Sequence, residues 1–512
     1  MADRRNILLI IVDQWRGDSL GVLGHPAALT PNLDALAADG VLFRRHYGQS
    51  APCGPARSSL LTGLYVMNHR VVANGIPQDR RHATMPGELR RAGLDPALIG
   101  YTTTIPDPRD APSADPRFRE IGDVMDGFRP FAHFDEVDFR TYLGWVAGRG
   151  HAMPADPTDI WLPESGPPGP TAAPSRIPAA HSDTAWSGEH AIDFLRTMRP
   201  DHPWMLHLGF FRPHPPFAAP APYHAIVPQA AIPAPLRAAS LAAEAAQHPM
   251  LAHWLATQDQ GSYFHGALGP VATLDDAAIA ATRRAYYGLI AEIDVWIGKV
   301  IEELKRGGQW DNTLIVFTSD HGEQLGDHHL LGKLGWFDQS YHLPLIVRDP
   351  SAGAARGRVV DAFTESVDLL PTMLDWLGHP ALAACDGASL LPWLRGATPA
   401  PWRDAVHFEY DLRGGWPMPG ALPPEADAAI GPQAGAMCAM RTEGWKYVHI
   451  AGMAPVLYDL AADPGELRNI AADPAHAPLL LEATQRMLSW RMAHGERGFT
   501  HLCTTPGGLI AR

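Results

Sequence analysis

The sequence predicts a layered α/β domain with a mostly parallel central sheet, followed by a smaller C-terminal α+β unit with an antiparallel sheet. Three observations carry this. Apolar runs of strand length end in acidic residues, as in NILLIIV before Asp13 and TLIVFTS before Asp320. Helical stretches separate such runs, and after about residue 385 the texture changes to short strand-like segments.

NILLIIV (6–12) is an unbroken apolar run after its first residue, the pattern of a parallel strand buried on both faces. Thr30, Pro31 and Gly40 bracket the first helix: Thr30 suits its cap, Pro31 its first turn and Gly40 its end. Further strands are expected at PALIGY (96–101), WMLHLGF (204–210), TLIVFTS (313–319) and PLIVR (344–348). A long amphipathic helix is expected over 276–306, stopped by Gly307 and Gly308. Residues 151–182, rich in proline, and 218–270, rich in alanine and proline, read as surface excursions, either lids or dimer contacts. VHFEYDL (406–412), AMCAMRT (436–442) and WKYVHI (445–450) read as antiparallel strands with a turn at EGW, and a helix follows over about 475–494. The expected units are therefore 1–385 and 386–512.

Composition narrows the function. With 512 residues, 46% hydrophobic and 19% charged, the chain reads as a soluble globular protein. A formal charge of −14 argues against a nucleic-acid partner, so an anionic substrate would need a local basic site. ILLIIV is too short for a signal peptide, and no apolar run approaches the roughly 20 residues that span a bilayer. The expected location is the cytoplasm, away from membranes. Cys53, Cys385, Cys438 and Cys503 lack the spacing of a disulfide framework or a zinc ribbon.

Sites in such sheets form beyond the carboxyl ends of the strands. Asp13, followed by Gln14, and Asp320, followed by His321, occupy such ends. Either acid alone reads more often as a cap or turn former; together with an imidazole they would make an oxygen- and nitrogen-lined metal site. The histidine shifts the expected divalent ion toward manganese or zinc, with calcium a further option. Cys53 stands at a helix start with Arg57 one turn on, where free amides and the helix dipole favour an anion. A small buried thiol and a thiolate nucleophile are the other readings of Cys53.

CGPAR (53–57) followed by SSLLTG resembles the sulfatase signature C-x-P-x-R, and TPNLDALAADGVLF, TSDHGEQLGDH, WKYV and LYDLAADPGELRNIA are also similar to sulfatases. The resemblance spans nearly the whole chain and implies the alkaline phosphatase superfamily, with its α/β/α sandwich and smaller C-terminal sheet domain. CGPARSSLLTGLYVMNHR, LIGYTTTIPDPR, FFRPHPPF and SDHGEQLGDHHLLGK are similar to phosphonate monoester hydrolases in particular. Gln14 and His321, where most sulfatases carry Asp and Asn, point the same way. The short LGVLGHPAALTPNLD instead resembles arylsulfatases.

The resemblance implies that Cys53 is converted by a formylglycine-generating enzyme into formylglycine (3-oxoalanine). It further implies hydrolysis of aryl sulfate monoesters, phosphonate monoesters and phosphodiesters through a covalent hemiacetal ester on that residue. Asp13, Asp320, His321 and modified Cys53, with Gln14 close by, would bind one divalent metal. Arg57, Asn74, Tyr101, Thr103, His214 and Lys333 would line the pocket, with His214 or Lys333 assisting the leaving group. The substrate would be a small anionic ester and the protein a homo-oligomer, dimer or tetramer. A phosphotransferase or mutase on the same fold, and a non-catalytic binding protein with unmodified Cys53, are the rival readings. Taken singly, Asn74 reads as a turn residue, Tyr101 and Thr103 as core or capping groups and His214 as a rigid turn residue, while His328 and His329 read as solvated loop histidines.

Overall fold

Strand β1 (Asn6–Val12) lies inside a nine-stranded sheet and is fully buried. Its side chains alternate between two cores: Leu8, Ile10 and Val12 face one layer of helices, Ile7, Leu9 and Ile11 the other. Each buried Leu or Ile contributes about 1.5–3 kcal/mol relative to exposure, which is why the run is apolar after Asn6. The computed structural model describes residues 5–511 except 111, 120–123, 137–138, 167, 200–201, 352, 381, 412–434 and 496–501.

The other strands are β2 (Val41–Tyr47), β3 (Asp95–Gly100), β4 (Arg129–His133), β5 (Trp204–Phe210), β6 (Thr313–Ser319), β7 (His342–Leu343), β8 (Leu345–Arg348) and β9 (Arg358–Glu365). The order is β4-β3-β5-β1-β6-β8-β2, with β7 and β9 also paired to β2. From β4 to β6 every pair is parallel. The PLIVR strand, β8, runs antiparallel to both neighbours. Strands β4 and β9 carry exposed and half-buried residues, so they lack the apolar signature of the buried ones.

Helices α1 (Pro31–Asp39), α4 (Asp183–Thr197) and α5 (Asp276–Arg306) cover one face of the sheet; α2 (Cys53–Thr62), α3 (Met85–Arg91) and α6 (Leu369–Trp376) cover the other. The expected cap of α1 is corrected. Thr30 accepts from the Gly21 amide at 2.7 Å and donates to Asp34 at 3.0 Å, while the free amides of Asn32 and Leu33 bond to Asp294 of α5 at 3.1 and 2.9 Å. A carboxylate from the crossing helix supplies what the local hydroxyl does not. Gly40 ends α1 for a steric reason: a Cβ there would stand 2.7 Å from the Val347 carbonyl oxygen. The two surface excursions are also packed, since Ile160, Trp161, Met250, Leu251 and Trp254 are buried.

The smaller sheet is antiparallel in chain order: β10 (Ala405–Asp411), β11 (Ala436–Thr442), β12 (Trp445–Ile450) and β13 (Val456–Asp459). Leu412, the last residue of VHFEYDL, lies outside the described residues. One face packs on α7 (Ala477–His494), where Met440 and Tyr447 meet Met487 and Trp490. The other packs on the large unit, with Tyr341 stacked on Phe408 at 3.9 Å between centroids. Among the described residues no helix is long and apolar enough to cross a membrane.

Candidate active site

Four of the predicted ligands meet where β1 and β6 end and α2 begins. Donor atoms of Asp13, Cys53, Asp320 and His321 all lie within 4.8 Å of one another and all four residues are buried. Asp13 follows β1 and Asp320 follows β6, and register pairs Val12 with Ser319, so the two acids leave the sheet side by side. Cys53 Sγ lies 3.2 Å from His321 Nε2. Asp13 Oδ1 is buried and has no protein partner, although it stands 3.7 Å from His321 Nε2. An unpartnered buried carboxylate oxygen beside a thiol, a second carboxylate and an imidazole is the donor set of a divalent metal site. The residues present therefore fit the cation.

Arg57 locks this set from below. It is fully buried, donating from Nε to Asp320 at 2.9 Å, from Nη2 to Asp13 at 3.1 Å and from Nη1 to the Tyr101 carbonyl at 2.9 Å. The Tyr101 hydroxyl donates to the same Asp13 oxygen at 2.5 Å. Three of the five guanidinium donors are thus spent on orienting the carboxylates and the β3 end.

Lys333 approaches from the other side. Its Nζ is 3.2 Å from Cys53 Sγ and donates to Gln14 Oε1 at 3.1 Å. Burial opposes its charge, but Cys53, Asp13 and Asp320 outweigh burial and raise its pKa. Burial and Asp13 push the Cys53 thiol well up, more than Lys333 and Arg57 pull it down, so the unmodified thiol is a poor nucleophile. Asp320 is held well below the usual carboxylate range: His321, once acid protonates it, joins Arg57 and Lys333 in overcoming its burial. Burial lowers His321 to about 4, which keeps its imidazole neutral as a ligand must be.

Gln14 sits at φ 68, a left-handed conformation that costs a residue with a side chain on the order of 1 kcal/mol. Its amide N–H bonds to Asp320 Oδ1 at 3.2 Å. Its side-chain amide donates to Glu323, so its oxygen faces Lys333. Glu323 is buried, also accepts from the amides of Leu325 and Gly332, and was not singled out by the sequence reading. Its signal was present within TSDHGEQLGDH, but nothing local assigns it to Gln14.

The remaining residues expected in the pocket have the following places. Asn74 Oδ1 accepts from the Gly54 amide at 2.8 Å, and a Cβ on Gly54 would lie 2.9 Å from that oxygen. Thr103 is also left-handed, at φ 52, and donates to Glu136 at 2.9 Å. Glu136, half-buried and pushed up to about 8 by burial, is a second residue the sequence reading missed. His214 follows β5, with its ring 4.8 Å from Phe211; burial and Lys333 hold it well below its ordinary pKa.

The expectation of solvated loop histidines is corrected. His328 is fully buried, stacks on Phe337 at 3.5 Å and lies 2.9 Å from the buried Glu244 carboxylate, while His329 is half-buried. Polar sequence surroundings hid the apolar shelf that Phe337 provides.

Acids at two strand ends, a helix-start cysteine and two cations in one buried cluster define a hydrolase site of the alkaline-phosphatase-like fold. The sulfatase family matches residues 5–379, and the chain belongs to that family. It is 48% identical over 516 residues to the multifunctional alkaline phosphatase superfamily protein PehA of Trinickia caryophylli, with 99% of each chain covered. The solved phosphonate monoester hydrolase of Agrobacterium radiobacter is 41% identical, with a TM-score of 0.94 over 99% of this chain and 100% of that one. SpPMH, a phosphonate monoester hydrolase from Silicibacter pomeroyi, is 38% identical, with a TM-score of 0.92 over 99% of both. Membership makes the protein a hydrolase of sulfate or phosphonate esters, in a family that uses formylglycine and a divalent metal.

Proposed function

We propose that this chain hydrolyses singly charged tetrahedral esters, namely phosphonate monoesters, aryl sulfates and phosphodiesters, with Cys53 converted to formylglycine. The observation that carries the reading is the buried cluster of Asp13, Cys53, Asp320 and His321 faced by Lys333. When in place, the hydrated aldehyde supplies the attacking oxygen and the divalent metal a Lewis acid that lowers its pKa. Asp13, Asp320 and His321 would hold the metal, and Arg57 and Tyr101 keep the Asp13 carboxylate aimed.

Lys333 carries the fixed positive charge nearest residue 53 and meets the charge that grows on the non-bridging oxygens. Arg57 acts through the carboxylates it holds and through its field. Asn74 fixes the backbone immediately after residue 53. The neutral Gln14 keeps one negative charge away from the anion relative to an aspartate, which suits a monoanionic ester.

Mass spectrometry of the peptide spanning residues 50–63, from protein made in its native host, is expected to find formylglycine at Cys53. Only unmodified cysteine there would overturn the mechanism. Comparing catalytic efficiency on an aryl phosphonate monoester and an aryl sulfate decides the preference; two solved relatives carry the name phosphonate monoester hydrolase and one curated relative the name arylsulfatase. Cys53→Ala is expected to abolish both activities together.

A further inference from the structure

Beyond the metal cluster, a second buried charge stands behind His214. Arg212 is 2% exposed and donates from Nε to Asp183 at 2.9 Å. Its Nη1 donates to the carbonyl oxygens of His214 at 2.9 Å and Pro216 at 2.5 Å. Asp183 opens α4, is 3% exposed and also accepts from the Trp161 indole at 2.8 Å. One carboxylate thus ties the 151–182 segment, a helix start and the loop after β5 to a single guanidinium. His214 adds a local constraint: its Nδ1 lies 2.8 Å from the Pro215 carbonyl, which can only accept, so Nδ1 carries the proton. Nε2 is left as the nitrogen free for chemistry.

We infer that Arg212, clamped by Asp183, is a positioning residue that holds the 214–216 loop so that His214 presents Nε2 to the substrate. This rests on the pocket role proposed for His214. A guanidinium is required because two carbonyls and a carboxylate are reached from one planar fork, whereas an ammonium is a point charge on a flexible stem. A buried ion pair alone is weak evidence for anything but structure. The bonds to the carbonyls of His214 itself and of Pro216, two residues on, tie this pair to the backbone of a pocket residue.

The test is a double-mutant cycle on the full-length, formylglycine-containing enzyme. Arg212→Lys is expected to lower kcat about tenfold with KM within about twofold, and to cost less than about twofold in a His214→Ala background. An equal loss in both backgrounds would overturn the inference, because the effect would not pass through His214. If the lysine variant does not fold, Asp183→Asn enters the same cycle. Independently of activity, histidine labelled with nitrogen-15 is expected to show a protected His214 Nδ1–H signal, assigned by its absence from His214→Ala, that disappears in Arg212→Lys. Survival of that signal unchanged overturns the inference. A His214→Ala enzyme with wild-type kcat would also overturn it while leaving the Cys53 chemistry standing; no ester hydrolysis by formylglycine-containing wild type would instead overturn the proposed function.

Discussion

Gln14 is gripped at both ends of its amide, by Glu323 at nitrogen and Lys333 at oxygen. Gln14→Asp would remove the donor and press a carboxylate against Glu323, whose pKa burial already raises. The expected loss is about 1–3 kcal/mol, seen as a lower thermal midpoint. Adding Glu323→Gln restores a donor opposite the new acid and should recover most of it. A single variant that melts with wild type would show that the amide is not held as described. Asp13, Asp320 and Cys53 were legible in the sequence because a strand end and a helix start are local events. Glu323 was not, since it acts on a residue 309 positions away. Glu136 and Asp183 were hidden for the same reason.

At the scale of elements, α5 shows both what local signals decide and where they stop. Gly307 closes it, as the sequence indicated, and Asp275 caps it by accepting from the Ala278 amide at 2.8 Å. Its middle is set by packing: Glu292 is fully buried against the start of α4, where the Ser182 hydroxyl donates to it at 2.5 Å while capping Ala185. Burial pushes Glu292 up from 4.5 to about 8, against the Ser182 hydrogen bond. Between those values the folded protein keeps a proton that the unfolded chain has released. Stability therefore falls as pH rises through that window and levels off above it. Glu292→Gln is expected to remove this slope, on the order of a few kcal/mol, narrowing the gap between thermal midpoints at about pH 5 and about pH 9. An unchanged gap would mean that Glu292 is ionised in the fold. The Asp294 cap of α1 lies on the same helix and was equally illegible, because its partners are 261 and 262 positions away.

At the scale of the molecule, the change of texture near residue 385 was visible, but what joins the two sides of it was not. Leu390, Leu391 and Leu394 share a core with Leu60 and Leu61 of α2, the helix that begins with Cys53. Strand β10 reaches the segment just before that cysteine: the Glu409 amide donates to the Gln49 carbonyl at 2.8 Å, and the Ser50 hydroxyl donates to the Glu409 carbonyl at 2.7 Å. The Glu409 carboxylate accepts from the Met67 amide and from Arg491, both at 2.8 Å. The smaller sheet is thereby part of the brace behind the segment that carries residue 53 to Asp13, Asp320 and His321. A chain ending at residue 385 is expected to be insoluble or unfolded, since it would expose the α2 side of the core. Glu409→Ala in the full chain should fold with a lower thermal midpoint, by about 1 kcal/mol of stability, because the half-buried Met67 amide and Arg491 lose their acceptor. The backbone bonds of residue 409 to Gln49 and Ser50 survive this substitution, so kcat and KM should change little; a large fall in kcat would show that the carboxylate itself positions residue 53. A soluble 1–385 fragment with full ester hydrolase activity would show that the catalytic cluster needs no support from the second sheet.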